Sequence, residues 1–275
     1  MKPLIPFILF LFIFSFVSVK AITPSEARVD WTNGFIISDG KSSIVINDSG
    51  SATDNETGKS ISYSSARVLS YQKSKEKALL NAADIINQIQ VDPDTKIGNL
   101  IINDRIIRQR ISNYLHEYAI FKELPAGYLN TSCRVELKLG YLIDTLNIQF
   151  PENNFPIRSD NDFSTKYTSL IIDTRGLNIK PALLPAVVNE SGLEIFSRNN
   201  ISGKIAVKHL AVSYTNSERE AVNHKKAGKH PFYCTALKSL NGNPVISDDD
   251  VKRIYSHKDN LIFLKKCRVI FIIDR

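Results

Sequence analysis

The most regular alternation of apolar and polar residues in this chain lies between residues 133 and 141. Its apolar positions are Cys133, Val135, Leu137, Leu139 and Tyr141. Arg134, Glu136 and Lys138 occupy positions between them. A period of two residues predicts a strand with one buried and one solvated face.

A helical pattern covers about residues 64–90, where apolar side chains recur at steps of three and four. The predicted stripe consists of Val68, Tyr71, Ala78, Ala82, Ile85 and Ile89. Pro93 breaks the pattern, because a proline removes a backbone donor and clashes with the preceding turn. A second stripe with the same period predicts another helix over about residues 104–121.

The second half of the chain contains shorter apolar runs. Residues 168–173 and 232–240 predict strands, and residues 182–197 predict a hairpin with an Asn- and Gly-containing turn. Ser247 is placed to cap a short helix, since its hydroxyl can accept from N–H groups of the first turn. Residues 261–274, which are apolar on both sides of Lys265-Lys266, predict a central strand.

These elements predict an α+β fold in two small domains, each a mixed or antiparallel sheet with helices packed on one face. Residues 22–150 form the first predicted domain and residues 167–275 the second. Residues 151–166 contain two prolines and many polar residues, which is typical of a linker at a domain boundary.

The first 21 residues have the pattern of a secretory signal peptide. Lys2 precedes an apolar stretch that is shorter than the roughly 20 residues a membrane-spanning helix needs. Val19 and Ala21 provide the small residues that a signal peptidase inspects. We therefore expect cleavage after Ala21 and a mature protein in the periplasm. No cysteine follows to take a lipid, so association with the outer membrane would require a partner.

The 275 residues include 35 Lys and Arg against 28 Asp and Glu, which gives a formal net charge of +7. The basic residues form no dense tract, and the aromatic residues are not interleaved with them. This pattern does not favour nucleic-acid binding. A modest positive excess is compatible with contact to an acidic cell-wall polymer or to anionic lipid.

One charged turn, Asp-Thr-Arg-Gly at residues 173–176, directly follows an apolar run. A single glycine with Pro181 close behind does not make a phosphate loop, which needs several glycines and a helix N-terminus. Asp173 and Arg175 share one side of an extended segment, which predicts a local ion pair. Alternatively, Arg175 and Lys180 belong to a surface that binds another protein or an anionic polymer.

Motifs for catalysis are missing from the sequence. It has no nucleophile elbow, H-E-x-x-H, dinucleotide fingerprint or Walker motif, and its histidines and cysteines are not at metal-ligand spacing. We therefore expect no catalytic residues, cofactor or metal. Arg105 and Arg108 on the second predicted helix are either a solvated face or a contact for an anion.

Export would place the three cysteines in an oxidising compartment, where pairing is allowed. Cys234 and Cys267 fall in two predicted strands of the second domain, which could be neighbours in one antiparallel sheet and within bonding distance. Cys133 lies across the linker on an apolar face and is expected to be unpaired. The alternative is three reduced, buried thiols.

Several stretches resemble a known family. "VDWTNGFIISDG", the long helix leading into "VDPDTKIGN" and the strand "CRVELKLG" resemble, in this order, a bacterial outer-membrane lipoprotein family. That family includes the flagellar lipoprotein FlgP and is similar in fold to the N-terminal domain of the flagellar assembly protein FlgT. "YTSLIIDTRGLNIKPALLP", "VVNESGLEIF" and "FLKKCRVIFIID" resemble the second domain of longer exported members. The resemblance implies an envelope protein without catalytic residues.

Two functions stay open on the sequence. The first is a non-catalytic exported envelope protein that acts as a structural or assembly component, with the periplasmic flagellar motor as the setting that the resemblance implies. Its partners would be other envelope or flagellar-motor proteins, or further copies of itself, close to the outer membrane or peptidoglycan. The second is a periplasmic binding module for cell-wall polymer or a small ligand.

Overall fold

The computed structural model describes residues 26–54, 56–155 and 165–274. The strands of the first half are β1 (Ala27–Asp30), β2 (Phe35–Ser43), β3 (Val45–Ile46), β4 (Ala52–Thr53), β5 (Ile120–Leu124) and β6 (Asn130–Lys138). Its helices are α1 (Tyr63–Gln88), α2 (Ile97–Asn103), α3 (Arg105–Glu117) and α4 (Leu139–Thr145). One antiparallel sheet has the order β1-β2-β6-β5, and α1 packs across β2 and β6.

Helix α1 confirms the predicted helix and part of its predicted stripe, since Ala78, Ala82 and Ile89 are buried. Its buried residues are Ala66, Ser70, Ser74, Ala78, Ala82 and Ile86. Val68, a member of the predicted stripe, is 59% exposed. The small side chains let the helix approach closely: a Cβ on Gly40 of β2 would lie 2.1 Å from the carbonyl oxygen of Ser74. Hydrophobicity alone pointed to larger residues, whereas close packing selected Ala and Ser.

The predicted strand 133–141 is confirmed as β6, but only as far as Lys138. Cys133, Val135 and Leu137 are fully buried, as the alternation predicts. Tyr141 is 38% exposed, because the chain enters α4 at Leu139 and the period of two ends there.

The second predicted helix, 104–121, is confirmed in its centre and wrong at its end. Asp104 separates α2 from α3, and its carboxylate accepts from the N–H groups of Ile106 and Ile107 at 2.7 and 3.3 Å. This N-cap fixes the start of α3. Residues from Ile120 onward pair with β6 as strand β5 instead of continuing the helix.

The second half has eight strands and four α-helices within its described residues. The strands are β7 (Ser169–Asp173), β8 (Val187–Val188), β9 (Glu194–Phe196), β10 (Ser213–Thr215), β11 (Pro231–Thr235), β12 (Lys238–Leu240), β13 (Asn243–Val245) and β14 (Val269–Ile272). The helices are α5 (Gly203–His209), α6 (Glu218–Asn223), α7 (Asp248–Tyr255) and α8 (Lys258–Lys265), and a short 3₁₀ turn covers Arg198–Asn200.

The α+β fold class is confirmed, but the main sheet of the second half differs from the prediction. Its order is β10-β14-β7-β11, and all its neighbouring strands are parallel. Helices cover both faces: Ala221 of α6 clusters with Ile171 and Ile270, whereas Phe263 of α8 shares a core with Ile172. Parallel strands need covered faces, which explains the short, wholly apolar runs in this half. A smaller mixed sheet has the order β12-β13-β8-β9.

Four predictions for the second half have different outcomes. The hairpin is confirmed as β8 and β9, and Ser247 caps α7 by accepting from the N–H of Asp250. The predicted strand 232–240 is two strands in two different sheets, β11 and β12. The apolar run 261–274 begins as helix α8 and becomes the predicted central strand only at Val269.

The two halves share one continuous hydrophobic core. Leu183 and Leu184 donate their N–H groups to the carbonyls of Gln90 and Val91, at 2.9 and 2.8 Å. Gly140 of α4 lies against Val207 of α5, where an added Cβ would meet the Val207 carbonyl oxygen at 1.9 Å. The described parts of the two predicted domains are therefore packed against each other through a shared core.

Part of the predicted organisation falls outside the described residues. This applies to the leader at residues 1–21 and to residues 156–164 of the predicted linker. At the start of that linker, Phe155 is buried in the core. Within the described ranges, none of the helices combines the length and apolarity that a membrane crossing requires.

Candidate functional site

The charged turn at residues 173–176, after β7, is held by an ion pair between two of its own residues. The guanidinium of Arg175 donates to both carboxylate oxygens of Asp173, through Nε at 2.8 Å and through Nη2 at closer range. The Tyr233 hydroxyl donates to the same carboxylate at 3.1 Å. The Arg175 hydrogen bond holds the pKa of Asp173 below its usual value. The predicted local ion pair is confirmed, and Asp173 is accordingly a weak proton acceptor.

Among the described residues, no hydrogen bond or ion pair joins the other three proposed surface residues to this turn. Arg108 donates from Nε and Nη2 to the carbonyl of Ile101, at 3.3 and 3.1 Å, and so satisfies a carbonyl near the end of α2. Arg105 and Lys180 are exposed. None of these residues lines either of the two clefts described below. Their role in an interaction surface stays a prediction.

The predicted Cys234–Cys267 disulfide is absent, since all three cysteines are free and buried. Cys234 lies in β11 and Cys267 just before β14, and β7 lies between these two strands. Strands two positions apart in a sheet are separated by about 10 Å, which exceeds the reach of a disulfide. The assumption of neighbouring antiparallel strands was wrong.

We expect three free thiols per chain. Burial raises the pKa of Cys267 to about 12 and that of Cys234 further, so neither forms a reactive thiolate near neutral pH. Alkylation after denaturation without reductant should therefore label all three cysteines, and in the native protein it should be about tenfold slower or more. A reduced sample is the control. If one cysteine is labelled without reductant and three are labelled after reduction, the protein contains a disulfide.

A basic cleft of about 540 Å³ lies in the second half of the chain. Its lining residues are Lys204, Ile205, Lys208, His209, Lys225, Lys226, Lys266 and Arg268. Three separate segments supply them: helix α5, the chain after α6, and the junction between α8 and β14. Six of the eight residues are Lys or Arg, so the cleft is a concentrated positive surface.

Lys226 is the buried member of the basic cleft, with 5% of its surface exposed. Its ammonium donates to the carbonyl of Leu210 at 3.0 Å. Burial, with help from the neighbouring Lys225, lowers the pKa of Lys226 to about 7. Leu210 ends α5 with a φ of 60°, and this left-handed conformation is rare for a branched residue.

The positive charges of the basic cleft are not neutralised within the described part of the chain, where none of its six Lys and Arg residues forms an ion pair. The pKa of His209 shows the effect of these charges. Its pKa is lowered first by burial and then by Lys208 and Lys226, with further contributions from Lys225 and Arg268. A site of this kind favours an anion.

The basic cleft continues into a groove of about 420 Å³ between the two halves. Lys208, His209 and Lys225 line both cavities. From the first half, the β1–β2 turn around Gly34 and the side chain of Tyr141 complete the groove. A ligand large enough to fill both cavities would therefore also contact the first half.

Sequence reasoning missed this cleft. The relevant signal was present as Lys225-Lys226, Lys265-Lys266 and the Lys204/Lys208 pair at helical spacing, but these segments are far apart along the chain. Within the described residues, no three His, Cys, Asp or Glu side chains are grouped so that they could hold a metal ion.

Residues 169–275 match a family model described as the second domain of Treponema pallidum Tp0624. The match begins two residues after the predicted start of the second domain and agrees with a two-domain organisation. It covers β7 to β14 and therefore includes every residue of the basic cleft. No curated protein matches the chain.

Proposed function

We propose that this chain is a non-catalytic envelope protein that acts as a structural or assembly component and holds an anionic partner in its basic cleft. The observation that carries this proposal is the concentration of six Lys and Arg residues in one cleft, without an ion pair to any described carboxylate. Such a surface attracts acidic groups and accelerates their association.

The shared core supports a role as a rigid support. The halves are joined through the contact of Gly140 with Val207, through backbone hydrogen bonds and through one shared core. The groove between them widens the surface on which a partner can rest. A partner bound at the basic cleft would thus meet a preorganised surface, which reduces the entropy lost on binding.

The narrower form of the proposal places the protein in the periplasm, among components of the flagellar motor. It rests on the leader pattern of residues 1–21 and on the resemblance of the first half to the FlgP and FlgT proteins. Outer-membrane association would then come through a partner, because the mature start proposed here has no cysteine for lipidation.

Charge reversal at the rim of the basic cleft tests the proposal. The double variant Lys204→Glu/Lys266→Glu changes two exposed residues, and its recovery of partner from an envelope extract should fall by about tenfold or more, since like charges would then face the ligand. The matched control, Lys96→Glu/Lys238→Glu, has the same net charge on exposed residues outside the cleft. Quantitative mass spectrometry of captured proteins is the measurement.

Two outcomes would contradict this proposal. Equal recovery by the cleft variant and the wild type would remove the basic cleft from the interaction. Recovery of peptidoglycan fragments or a small molecule alone would favour the second candidate, a binding module for cell-wall polymer or a small ligand. The size of the basic cleft, about 540 Å³, favours this candidate, because small-molecule sites commonly have such volumes.

A further inference from the structure

We propose that the basic cleft is a phosphate-binding site, and that the ligand it takes carries phosphoryl groups. This inference rests on the proposed binding role of the cleft and identifies the chemistry of the ligand. Three observations carry it: the number of cations, their arrangement on three chain segments, and the free donors at the buried end.

The number of cations argues for a multiply charged ligand. Five Lys and Arg residues line the basic cleft besides the buried Lys226, and a single carboxylate would offset only a small part of their charge. A phosphoryl group carries a charge of about −1.5 to −2 near pH 7 and offers three strong acceptor oxygens. A ligand with two such groups compensates far more charge in the same volume.

The arrangement of the cations allows them to surround a compact group. Lys208, Lys225 and Arg268 come from three different segments, yet all three act electrostatically on the imidazole of His209. Lysine ammoniums bind phosphate as point charges, and an arginine guanidinium can donate two parallel hydrogen bonds to phosphate oxygens. The basic cleft supplies both kinds of donor.

Lys226 offers donors at the buried end of the basic cleft. An ammonium has three N–H donors, and within the described residues the carbonyl of Leu210 is its hydrogen-bond acceptor. Two donors are therefore left for ligand oxygens. Because burial disfavours the charge on Lys226, an anion beside it would stabilise the ammonium and gain a strong hydrogen bond in return.

Inorganic pyrophosphate is the probe for this site. Calorimetric titration of the full chain at low salt should give saturable binding of one pyrophosphate. Lys226→Met should weaken it by about tenfold or more, because hydrogen bonds to charged groups are lost. The control Lys238→Met, on exposed β12 outside the cleft, should bind as the wild type does.

Loss of folding is separated from loss of binding in two ways. Methionine keeps most of the lysine stem, but it leaves the Leu210 carbonyl without the ammonium donor, so the denaturation curve of Lys226→Met is measured and binding is compared where both proteins are fully folded. Lys266→Gln changes an exposed residue of the same cleft and should also weaken binding, by about threefold or more, through lost charge.

Several results would overturn the inference. They are the absence of saturable binding, and equal weakening by Lys226→Met and Lys238→Met, which would indicate diffuse attraction without a site. If pyrophosphate does not bind but partner capture still depends on Lys204 and Lys266, an acidic protein segment occupies the cleft. The proposed function then still holds. If pyrophosphate binds but no protein partner is captured, the phosphate site is supported and the assembly role is contradicted.

Phosphatidylglycerol vesicles distinguish the sources of a phosphoryl group. If the protein binds the vesicles and pyrophosphate displaces them, the ligand is a lipid headgroup. Binding of pyrophosphate without binding of vesicles assigns a soluble or polymer-borne phosphate. Both results support the site at Lys226.

Discussion

Replacing Gly140 with alanine is expected to lower the free energy of unfolding by about 3 kcal/mol, the upper part of the usual range for overpacking. A Cβ at this position would lie 1.9 Å from the carbonyl oxygen and 3.0 Å from the carbonyl carbon of Val207. Both contacts are with backbone, so relief requires α4 and α5 to separate. Glycine-to-alanine changes inside helices normally stabilise by about 1 kcal/mol, and the opposite sign here would identify the close approach.

Urea unfolding of this variant should be followed by two probes. The fluorescence of Trp31 reports on the boundary, because this ring packs on Tyr214 at a centroid distance of 5.4 Å. Far-ultraviolet circular dichroism reports on the whole chain. Gly127→Ala is the control, since its Cβ would meet only the Asn130 side chain, at 3.8 Å. Unchanged stability of Gly140→Ala, or two separate transitions in the wild type, would contradict the shared core.

Replacing Phe271 with alanine should have an effect at least as large, a loss of about 3–5 kcal/mol, as is typical of buried Phe-to-Ala changes. The side chain is fully buried in β14 and makes an edge-to-face contact with Tyr214 at 5.7 Å. The lost volume lies at the centre of the sheet, where the covering helices cannot collapse freely. Whole domains are stable by only about 5–15 kcal/mol, so this one change removes much of the total.

Chemical denaturation of Phe271→Ala beside Ile102→Ala measures this effect. Ile102 of α2 is 74% exposed, so its truncation should change the stability by less than about 0.5 kcal/mol. A similar small loss for Phe271→Ala would mean that β14 does not occupy the centre of the core.

The sequence predicts well those elements whose signal is local. Strand β6 and helix α1 follow from periods of two and of three to four residues. The α1 stripe is predicted only in part. Ala66, Ser70 and Ser74 are missed because Ala and Ser carry little hydrophobic signal, although their size permits the close approach to Gly40. Helix α8 is missed because its four apolar residues, 261–264, are too few to show a helical period, and a second apolar run follows them after only four residues.

Features that depend on distant residues could not be predicted. The parallel pairing of β7 with β11 and β14 joins segments about 60 and 100 residues apart, and no periodicity reports such pairing. The disulfide prediction failed for this reason. The basic cleft was missed in the same way, because its charges come from three segments and form no dense tract.

The position of β14 has a consequence for synthesis. It lies between β10 and β7, yet it follows every other described element along the chain. Until residues 269–272 leave the ribosome, β7 has one unpaired edge and β10 has no neighbour in the sheet. Contacts across such long intervals form slowly, since closing the intervening chain costs entropy. The apolar segment 170–172 therefore stays accessible to other molecules during translation, and a nascent chain of this protein should depend on chaperones until β14 is made.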